Sequence, residues 1–483
     1  MKKKFIYVFF ALSGLFLSSC DDYTDLEPKG KNMLATIEQI EMLLNDDFDD
    51  YGLQGGSDEL LIGNAYSVSE NIANIISQPQ QSLDKILLTW DESADRSDYT
   101  ASDSRYTAFY RIIGKIANPV LSRIDDAEGD ATKKAQLKAE ALILRAWFGY
   151  LAVCHYAKAY NSSTASTDGG VPYQLETDDT ATPCVQYTVK EVYDLINKDI
   201  DTALSLNSLP DKNINQMRVS KAFAYAVKAM VAMSMHDYDT AYQAAQQSLS
   251  INNTVSDYNN YVVDKMGMNY LTGEFSAYKE LQRPYLSMEE DLFFTYDSSA
   301  FIGFAPNITA AFEDGNVFHA YYPSDINAFG FSYLAMQCGL DIECWYYSTD
   351  FSFSKYGLRT TDMLLILAEI DIRKGNIDEA MAQLDKIRAC RLMPEYYTSL
   401  AGTVTSKADA IKKFKQIATI ENFCTSKNYL NIKRWNTENN EWTETITRNL
   451  FGVEYTLRPD SKLWIWPFPQ NETSLNPNIK QNY

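Results

Sequence analysis

Two stretches of this chain repeat one helix–turn–helix pattern, and this repetition limits the fold more than any other feature. The stretches are residues 228–252 (KAMVAMSMHDYDTAYQAAQQSLSIN) and residues 364–388 (LLILAEIDIRKGNIDEAMAQLDKIR). Their alignment superposes alanines that are twelve residues apart in each stretch, Ala229 and Ala241 on Ala368 and Ala380. The turn His236–Tyr238 then falls opposite Gly375–Ile377. Small residues at this spacing allow two antiparallel helices to pack closely.

Such a pair of helices is the pattern of a tetratricopeptide repeat, a unit of about 34 residues. One unit cannot bury its own apolar face, so several units must stack. Two more degenerate units also fit: helix 137–158 could pair with 189–206 across a long insertion, and helix 407–423 has no evident partner. We therefore predict a mostly α-helical superhelix of about four helix pairs, with few short strands. The alternative is a plain helical bundle with coincident alanines.

Two segments ahead of the repeats also have helical periodicity. Residues 133–158 place apolar side chains three and four residues apart along one face, and residues 106–124 do the same. Pro119 falls inside the second segment, where it removes a backbone donor, so we expect that helix to be kinked or split there.

The N-terminus has the pattern of an export signal. Three lysines are followed by an apolar run, Phe5–Leu17, which is shorter than the roughly 20 residues needed to span a bilayer. The sequence Leu17-Ser-Ser-Cys20 then resembles a bacterial lipobox, which implies that Cys20 becomes the lipid-modified N-terminus. Several acyl chains on Cys20 would hold the protein on a membrane without a spanning helix. An unrelated cysteine or a membrane-anchoring helix is the alternative.

The charge of the chain argues against nucleic-acid binding. Cleavage before Cys20 removes three lysines and no acid, which leaves 40 basic against 64 acidic residues and a net charge of −24. So acidic a body repels phosphate backbones. The six other cysteines lack CxxC spacing and the three histidines stand far apart, so a zinc site is poorly supported. The sequence predicts no cofactor and leaves open a structural calcium ion.

Residues 253–356 interrupt the repeats with an unusual density of aromatic residues. The apolar C–H face of a sugar ring stacks on aromatic side chains, and its hydroxyls bind amides and carboxylates. Long irregular segments are often functional, so we predict that this region binds sugar. The candidate contacts are Asn269, Tyr270, Tyr321, Trp345 and Tyr346. The alternative for each ring is that it only fills an irregular part of the core.

A further candidate contact lies nearer the N-terminus. Trp90 stands among polar residues, and Asp91 follows it directly. Such neighbours are unlikely to be buried together. Trp90 is therefore either a partly exposed recognition residue, with Asp91 beside it, or an anchor for a loop.

Motifs along the whole chain resemble those of the SusD/RagB family of outer-membrane glycan-binding lipoproteins. The acidic start at Cys20 is similar to the family's, as is the ending LWIWPFPQNETSLNPNIKQNY. Between them lie residues that match the family's internal motifs: Glu140, Arg145 and Tyr150 on one helix, Gly170-Val171-Pro172, the stretch ILAEIDIRKGNIDEAMAQLDKIRACR, and LNIKRW at 430–435. The chain departs from the family pattern at Asp385, where Asn is commoner, and at Cys424–Lys427, which replaces an "EG.R" element.

The resemblance implies a right-handed superhelix of four repeats and a single domain after the signal peptide. The predicted organisation is a signal peptide at 1–19 and one SusD-like domain at 20–483, with helical repeats within 103–252 and 359–423, an irregular ligand-binding portion at 40–102 and 253–356, and the family tail at 430–483.

The resemblance also implies a function and a partner. The protein would be anchored in the outer membrane, exposed at the cell surface, and would capture oligosaccharide or polysaccharide for a TonB-dependent transporter of the SusC type. We expect the repeat side to face the transporter. No GxSxG, HExxH, P-loop or GxGxxG motif occurs in the chain, so we do not predict an enzyme. A surface glycoside hydrolase and a tetratricopeptide adaptor that binds proteins are the alternatives.

Overall fold

The fold is described from a computed structural model of the chain. The described residues are 34–46, 48, 57–67, 70–179, 181–268, 273–282, 288–295, 302–321, 338–340, 342, 344–345 and 354–483. For residues 57, 67, 302, 344 and 345 only the backbone is described.

About half of the described chain is helical and its strands are few and short, as the sequence predicts. The helices before the second irregular segment are α1 (Ile37–Leu44), α2 (Ser57–Leu61), α3 (Ile72–Ser77), α4 (Leu83–Thr89), α5 (Ser104–Ile112), α6 (Asn118–Arg123), α7 (Ala131–Tyr156), α8 (Val189–Ser205), α9 (Lys221–Ser234) and α10 (Tyr238–Ile251). Those that follow are α11 (Pro306–Thr309), α12 (Val317–Tyr321), α13 (Thr360–Lys374), α14 (Ile377–Arg388), α15 (Lys407–Glu421), α16 (Lys427–Trp435) and α17 (Gln470–Leu475).

The two repeated stretches form the helix pairs α9–α10 and α13–α14. The equivalent turn residues His236 and Gly375 both adopt a positive φ, 60° and 85°, which reverses the chain within three residues. The four superposed alanines are fully buried, so their small side chains allow each pair to pack closely: Ala229, Ala241, Ala368 and Ala380. Helix α10 also packs against α13, so the two pairs are stacked. The repeat prediction is confirmed.

The long helix α7 stands at the centre of the helical frame, which we define as α5–α10 with α13–α16. It pairs with α8, as predicted across the insertion, and it also contacts α1, α5 and α6. Helix α15 packs against α13 and α14. The segment with Pro119 is split: a π-helical turn, Ile113–Ala117, separates α5 from α6, and the proline lies in the first turn of α6.

The strands are short and pair only antiparallel. They are β1 (Ala65–Ser67), β2 (Gly169–Pro172), β3 (Gln186–Thr188), β4 (Val262–Met268), β5 (Phe275–Leu281), β6 (Asp291–Phe293), β7 (Ile302–Phe304), β8 (Cys344–Trp345), β9 (Leu358–Arg359), β10 (Ile446–Leu450) and β11 (Val453–Leu457). β1, β7 and β8 form a three-stranded sheet, and the pairs β2–β3, β4–β5, β6–β9 and β10–β11 are two-stranded. A mostly α fold with few short strands is therefore confirmed.

The first and last described segments lie at opposite ends of α7. Near its start, Ile37 N donates to Glu128 O at 3.0 Å, and Lys133 on α7 pairs with Glu41 at 2.7 Å. Near its end, Trp466 N donates to His155 O at 2.9 Å, and Asn482 Nδ2 donates to Tyr156 O at 2.6 Å. The tail thus covers the C-terminal end of this helix.

Candidate functional site

The two irregular segments predicted from the sequence meet in one sheet. β1 belongs to the first segment, and β7 and β8 belong to the second. Tyr66 pairs with Gly303, and Ile302 pairs with Trp345. After β7 the chain enters two apolar clusters, since Phe304 packs in one and Ala305 in the other. The two segments therefore form a single structural unit, which we call the irregular portion.

A buried network of hydrogen-bonded side chains joins this sheet to the helical frame. Glu59 on α2 accepts hydrogen bonds from Asn64 Nδ2 at 2.8 Å and from Asn428 Nδ2 on α16 at 3.3 Å. Asn307 Nδ2 donates to Asn64 Oδ1 at 3.0 Å, which extends the network to α11. Burial raises the pKa of Glu59 to about 8, so its carboxyl group is protonated at neutral pH. Neutral Glu59 is thus a joint between the two parts of the molecule.

Trp90 does not offer its ring to solvent. Only 5% of the residue is exposed, and its Nε1 donates to Leu61 O at 2.7 Å. The Arg448 guanidinium lies 3.8 Å from the ring centroid, so it covers one face. Trp90 ends α4 in a left-handed conformation, with φ 49°. The prediction that Trp90 stacks on sugar is wrong for this structure, because the ring is buried and already stacked; the alternative role as a loop anchor fits.

Arg448 is itself an unusual buried cation. Its Nη2 donates to the carbonyls of Leu60, Leu61 and Leu87, at 3.1, 3.4 and 3.1 Å. No carboxylate of the described residues pairs with it, and its Nε and Nη1 atoms have no hydrogen-bond partner. Burial lowers the pKa of Arg448 to about 10. No local pattern indicates this contact, since Arg448 lies far from Trp90 along the chain.

Asp91 is occupied by its own loop. Its carboxylate accepts hydrogen bonds from Ser93 N at 2.9 Å, Ser93 Oγ at 2.6 Å and Gln81 Nε2 at 2.6 Å. The bonds from Ser93 lower the pKa of Asp91. These contacts give Asp91 a turn-forming role, and its predicted contact with glycan stays a prediction.

The hairpin β4–β5 presents an apolar face to solvent that the sequence reading missed. Met266 lies opposite Ala277, and Met268 lies opposite Phe275. These side chains share one face because residues two apart on a strand point the same way. Phe275 is 69% exposed and Met266 is 66% exposed. The alternation of apolar residues at 262–268 and 275–281 could have indicated this exposed ring.

The other face of the hairpin is held in place by an aromatic ring. Tyr278 covers Gly267, where an added Cβ would lie 2.8 Å from the ring, and its hydroxyl donates to Glu280 Oε2 at 3.0 Å. Lys265 pairs with the same carboxylate at 3.0 Å. One face of the hairpin is therefore fixed, and the opposite face, with Phe275, is exposed among the described residues.

Tyr321 is half-buried at the end of α12, which packs against β5. Nearby, the rings of Phe312 and His319 are stacked with centroids 4.6 Å apart. Trp345 lies on β8, and only its backbone is described. Cys20, Asn269, Tyr270 and Tyr346 lie outside the described residues, so their predicted roles stay predictions.

The motif residues of the sequence form buried joints of the helical frame. Arg434 donates two parallel bonds to Glu369, both at 2.7 Å, and Trp435 Nε1 donates to the same carboxylate at 3.2 Å. Burial opposes ionisation, but the guanidinium groups of Arg434 and Arg373 lower the pKa of Glu369 to about 2. The KRW element and the helix α13 are thus held together by one carboxylate.

The motifs of α7 are joints of the same kind. Glu140 accepts two bonds from Arg218, at 2.7 and 3.0 Å. Arg145 donates two bonds to Asp199 on α8, at 2.7 and 2.9 Å, and Tyr173 Oη donates to that carboxylate at 2.6 Å. These bidentate contacts fix α7 against its neighbours.

The two departures from the motif pattern are absorbed locally. The carboxylate of Asp385 accepts backbone N–H groups of Leu400 and Ala401, at 2.8 and 3.1 Å, so an acid fits this position. Lys427 is buried and pairs with Asp362 at 2.7 Å. The second departure touches the irregular portion, since Ser426 N donates to Lys355 O at 3.4 Å and Cys424 packs against the apolar cluster that contains Phe304.

Two family models match separate parts of this chain. Residues 31–233 match a family described as "Starch-binding associating with outer membrane", and residues 346–483 match the SusD family. The chain belongs to the SusD/RagB family. The motif residues predicted from the sequence therefore have their explanation in the buried joints of a SusD-like frame.

Solved structures share this fold along almost their full length. A SusD superfamily protein from Bacteroides thetaiotaomicron is 16% identical, with a TM-score of 0.66 over 93% of this chain and 100% of that one. Surface glycan-binding protein A from Bacteroides uniformis is 16% identical, with a TM-score of 0.64 over 92% and 99% of the two chains. A SusD-like carbohydrate-binding protein from Bacteroides vulgatus is 16% identical, with a TM-score of 0.61 over 93% of this chain and 98% of that one. Identities this low establish the fold.

A comparison with curated proteins finds no match to the chain. Within the described residues, none of the helices combines the length and apolar character that crossing a bilayer requires.

Proposed function

We propose that this protein is a cell-surface glycan-binding lipoprotein that passes oligosaccharide or polysaccharide to a SusC-like, TonB-dependent transporter of the outer membrane. Membership of the SusD/RagB family carries the proposal. The glycan-binding and carbohydrate-binding proteins of the same fold support it. The lipobox at Cys20 supports the anchor.

The outer face of the hairpin β4–β5 is the best described platform for a sugar. Phe275 supplies an exposed ring, and Met266 and Met268 extend the apolar surface beside it. Stacking on one such ring gives weak binding that is easily reversed, which suits a protein that must release its ligand. Tyr321 and Trp345 belong to the same irregular portion and stay in the proposed contact set, with Asn269, Tyr270 and Tyr346.

Binding without catalysis is the simpler chemistry for this fold. Glycoside hydrolysis needs two carboxyl groups about 5–10 Å apart on either side of the scissile bond. Within the helical frame, the carboxylates of Glu140, Asp199 and Glu369 are engaged by guanidinium groups. They therefore act as structural partners, and we assign no catalytic residue.

Retention on polysaccharide tests the proposal. Residues 21–483 are run through native gels that contain a panel of polysaccharides, and each glycan is afterwards analysed for shortened products. We expect retardation by at least one glycan, no products, and a several-fold loss of retardation in Phe275→Ala. Leu475→Ala is the matched control, because Leu475 is an equally exposed apolar residue on α17. Release of products would favour the hydrolase, and indifference to every glycan would overturn the proposal.

The anchor and the transporter need a separate test. A weak site held beside a pore makes transfer nearly intramolecular, because tethering raises the effective ligand concentration. We expect the full chain to co-purify with a TonB-dependent barrel from outer membranes. Cys20→Ala should leave the protein unlipidated and outside the membrane fraction. A membrane-bound Cys20→Ala protein would contradict the assignment of the lipid.

A further inference from the structure

A cavity lies between the C-terminal tail and the helical frame. Its volume is about 390 Å³, within the range typical of small-molecule sites. The walls come from three elements: the residues after α7, the end of α16 and the tail segment 459–465. The side chains that matter below are Ala159, Lys433, Asn436, Pro459, Trp464 and Ile465.

The inner wall of this cavity is rigid. Lys433 Nζ donates to Cys154 O at 2.6 Å, Ala157 O at 2.7 Å and Tyr429 Oη at 3.3 Å. These contacts occupy the Lys433 amine and tie α16 to the end of α7. Lys433 therefore shapes the cavity and is not available to a ligand. A preformed wall lowers the entropy cost of binding.

Asn436 leaves a hydrogen-bond donor unused at the cavity. Its Oδ1 accepts from Glu444 N at 2.9 Å, which fixes the amide plane. Its Nδ2 is buried and has no hydrogen-bond partner among the residues that the structure describes. Buried polar atoms are nearly always hydrogen-bonded, so an unpaired amide donor points to an acceptor that is absent here. A ligand oxygen would supply it.

The charges at the rim of the cavity balance. Lys158 Nζ pairs with Asp168 at 2.7 Å, and Asp460 and Lys462 stand on one turn with opposite signs. The tail side adds the apolar surfaces of Pro459 and Ile465. Balanced charge, an apolar wall and an amide donor fit a neutral ligand that carries both C–H surface and hydroxyl groups.

We propose that this cavity binds one neutral hexopyranose unit, as a second saccharide site besides the irregular portion. The C–H face of the sugar would lie against the tail wall, and Asn436 Nδ2 would donate to a sugar oxygen. The proposal rests on the proposed function, since it assumes that the protein meets glycans. Tyr483 lines the cavity and its hydroxyl donates to Asp95 at 2.7 Å, so the site borders the loop that follows Trp90.

Methyl glycosides of glucose, galactose and mannose are suitable probes, with saturation-transfer NMR and calorimetry on residues 21–483. We expect millimolar binding of at least one glycoside, and its loss in Ala159→Trp, which fills the cavity. Asn436→Asp keeps the acceptor for Glu444 N and replaces the amide donor with a carboxylate oxygen, which repels a sugar oxygen, so we expect affinity to fall about tenfold. Leu475→Ala should bind as the unchanged protein does. Thermal melting of each variant verifies that it is folded.

The outcomes separate this inference from the proposed function. If no glycoside binds, or if Ala159→Trp binds as well as the unchanged protein, the cavity site is wrong, whatever the polysaccharide gels show. Preference for a uronic acid over every neutral glycoside would also overturn it. If polysaccharide retention depends on Phe275 and glycoside binding depends on Asn436, both proposals hold independently.

Discussion

Two buried guanidinium groups, that of Arg434 in the helical frame and that of Arg448 beside the irregular portion, are held in different ways. In the frame, both arms of Arg434 meet the carboxylate of Glu369. Where the tail meets the irregular portion, Arg448 has only backbone carbonyls and the face of Trp90, with no carboxylate partner among the described residues. The first arrangement depends on two specific side chains. The second depends largely on carbonyl groups, which every residue provides.

This difference explains where the family motifs lie. A joint made of two side chains needs both residue types, so it leaves a recognisable pattern in the sequence. A joint made to carbonyl groups leaves almost none, and the residues that contribute the carbonyls can change freely. At the Arg448 joint the irregular portion can therefore change its residues while the contact persists, whereas its ion pairs Asp58–Arg105 and Glu290–Arg391 need both partners.

The largest effect is expected from the joint of the frame. Glu369→Ala leaves the guanidinium of Arg434 buried without its carboxylate, so we expect a loss of about 4 kcal/mol in the free energy of unfolding. Denaturant titration measures it. The exposed pair Lys190–Asp194 is the matched control, and Lys190→Ala should cause no measurable change. Equal effects of the two variants would remove the distinction between the regions.

Loss of the ring over Arg448 should cost somewhat less. Trp90→Ala opens a cavity and uncovers a buried cation, so we expect a destabilisation of about 3 kcal/mol. Trp90→Phe keeps an apolar ring and loses the hydrogen bond to Leu61 O, so we expect the free energy of unfolding to fall by about 1 kcal/mol. Thermal melting distinguishes them. An unchanged melting temperature in Trp90→Ala would contradict the structural role of the ring and would favour an exposed recognition residue.

The joint at Glu59 should respond to pH. The pKa of Glu59 is about 8 in the folded protein and about 4.5 when unfolded, so the unfolded state releases this proton first as pH rises. The contribution of Glu59 to the free energy of unfolding is fully present below pH 4.5 and is lost as the pH rises toward 8. Between pH 5 and 7 we expect a loss of about 2–3 kcal/mol that Glu59→Gln does not show. Parallel curves for the two proteins in denaturant titrations across this range would refute the assignment.

The smallest effect on stability is expected on the hairpin. Phe275→Ala removes an exposed ring, so the free energy of unfolding should change by no more than about 0.5 kcal/mol. The same variant is expected to lose glycan retention, so the two measurements together separate a binding ring from a structural one. A large drop in melting temperature would mean that Phe275 packs against the protein.

The frame could be predicted because its determinants are close together in the sequence. Alanines twelve residues apart specify each helix pair, and the turn residues His236 and Gly375 fall at the same register. The pairing of α7 with α8 followed from periodicity alone, despite the long insertion. Glu369 and Arg434 were recognisable as motif residues, but their contact was visible only in the structure.

The irregular portion could not be predicted to the same depth. The local sequence shows only that Trp90 has polar neighbours such as Asp91, while the group that covers its ring comes from β10, near the other end of the chain. Phe275 was overlooked because a two-stranded hairpin gives a short alternation and little else. Contacts between distant segments decide which ring is buried, and local pattern carries no information about them.

Helix α7 separates the first and last described segments of the chain. With 26 residues at 1.5 Å each, the helix is about 39 Å long, and it acts as a rigid spacer between residue 37, beside its start, and residue 482, at its end. An epitope added after Tyr483 would therefore sit at the end of the molecule opposite Ile37. Its accessibility to an antibody on intact cells would show which end of the molecule faces away from the cell.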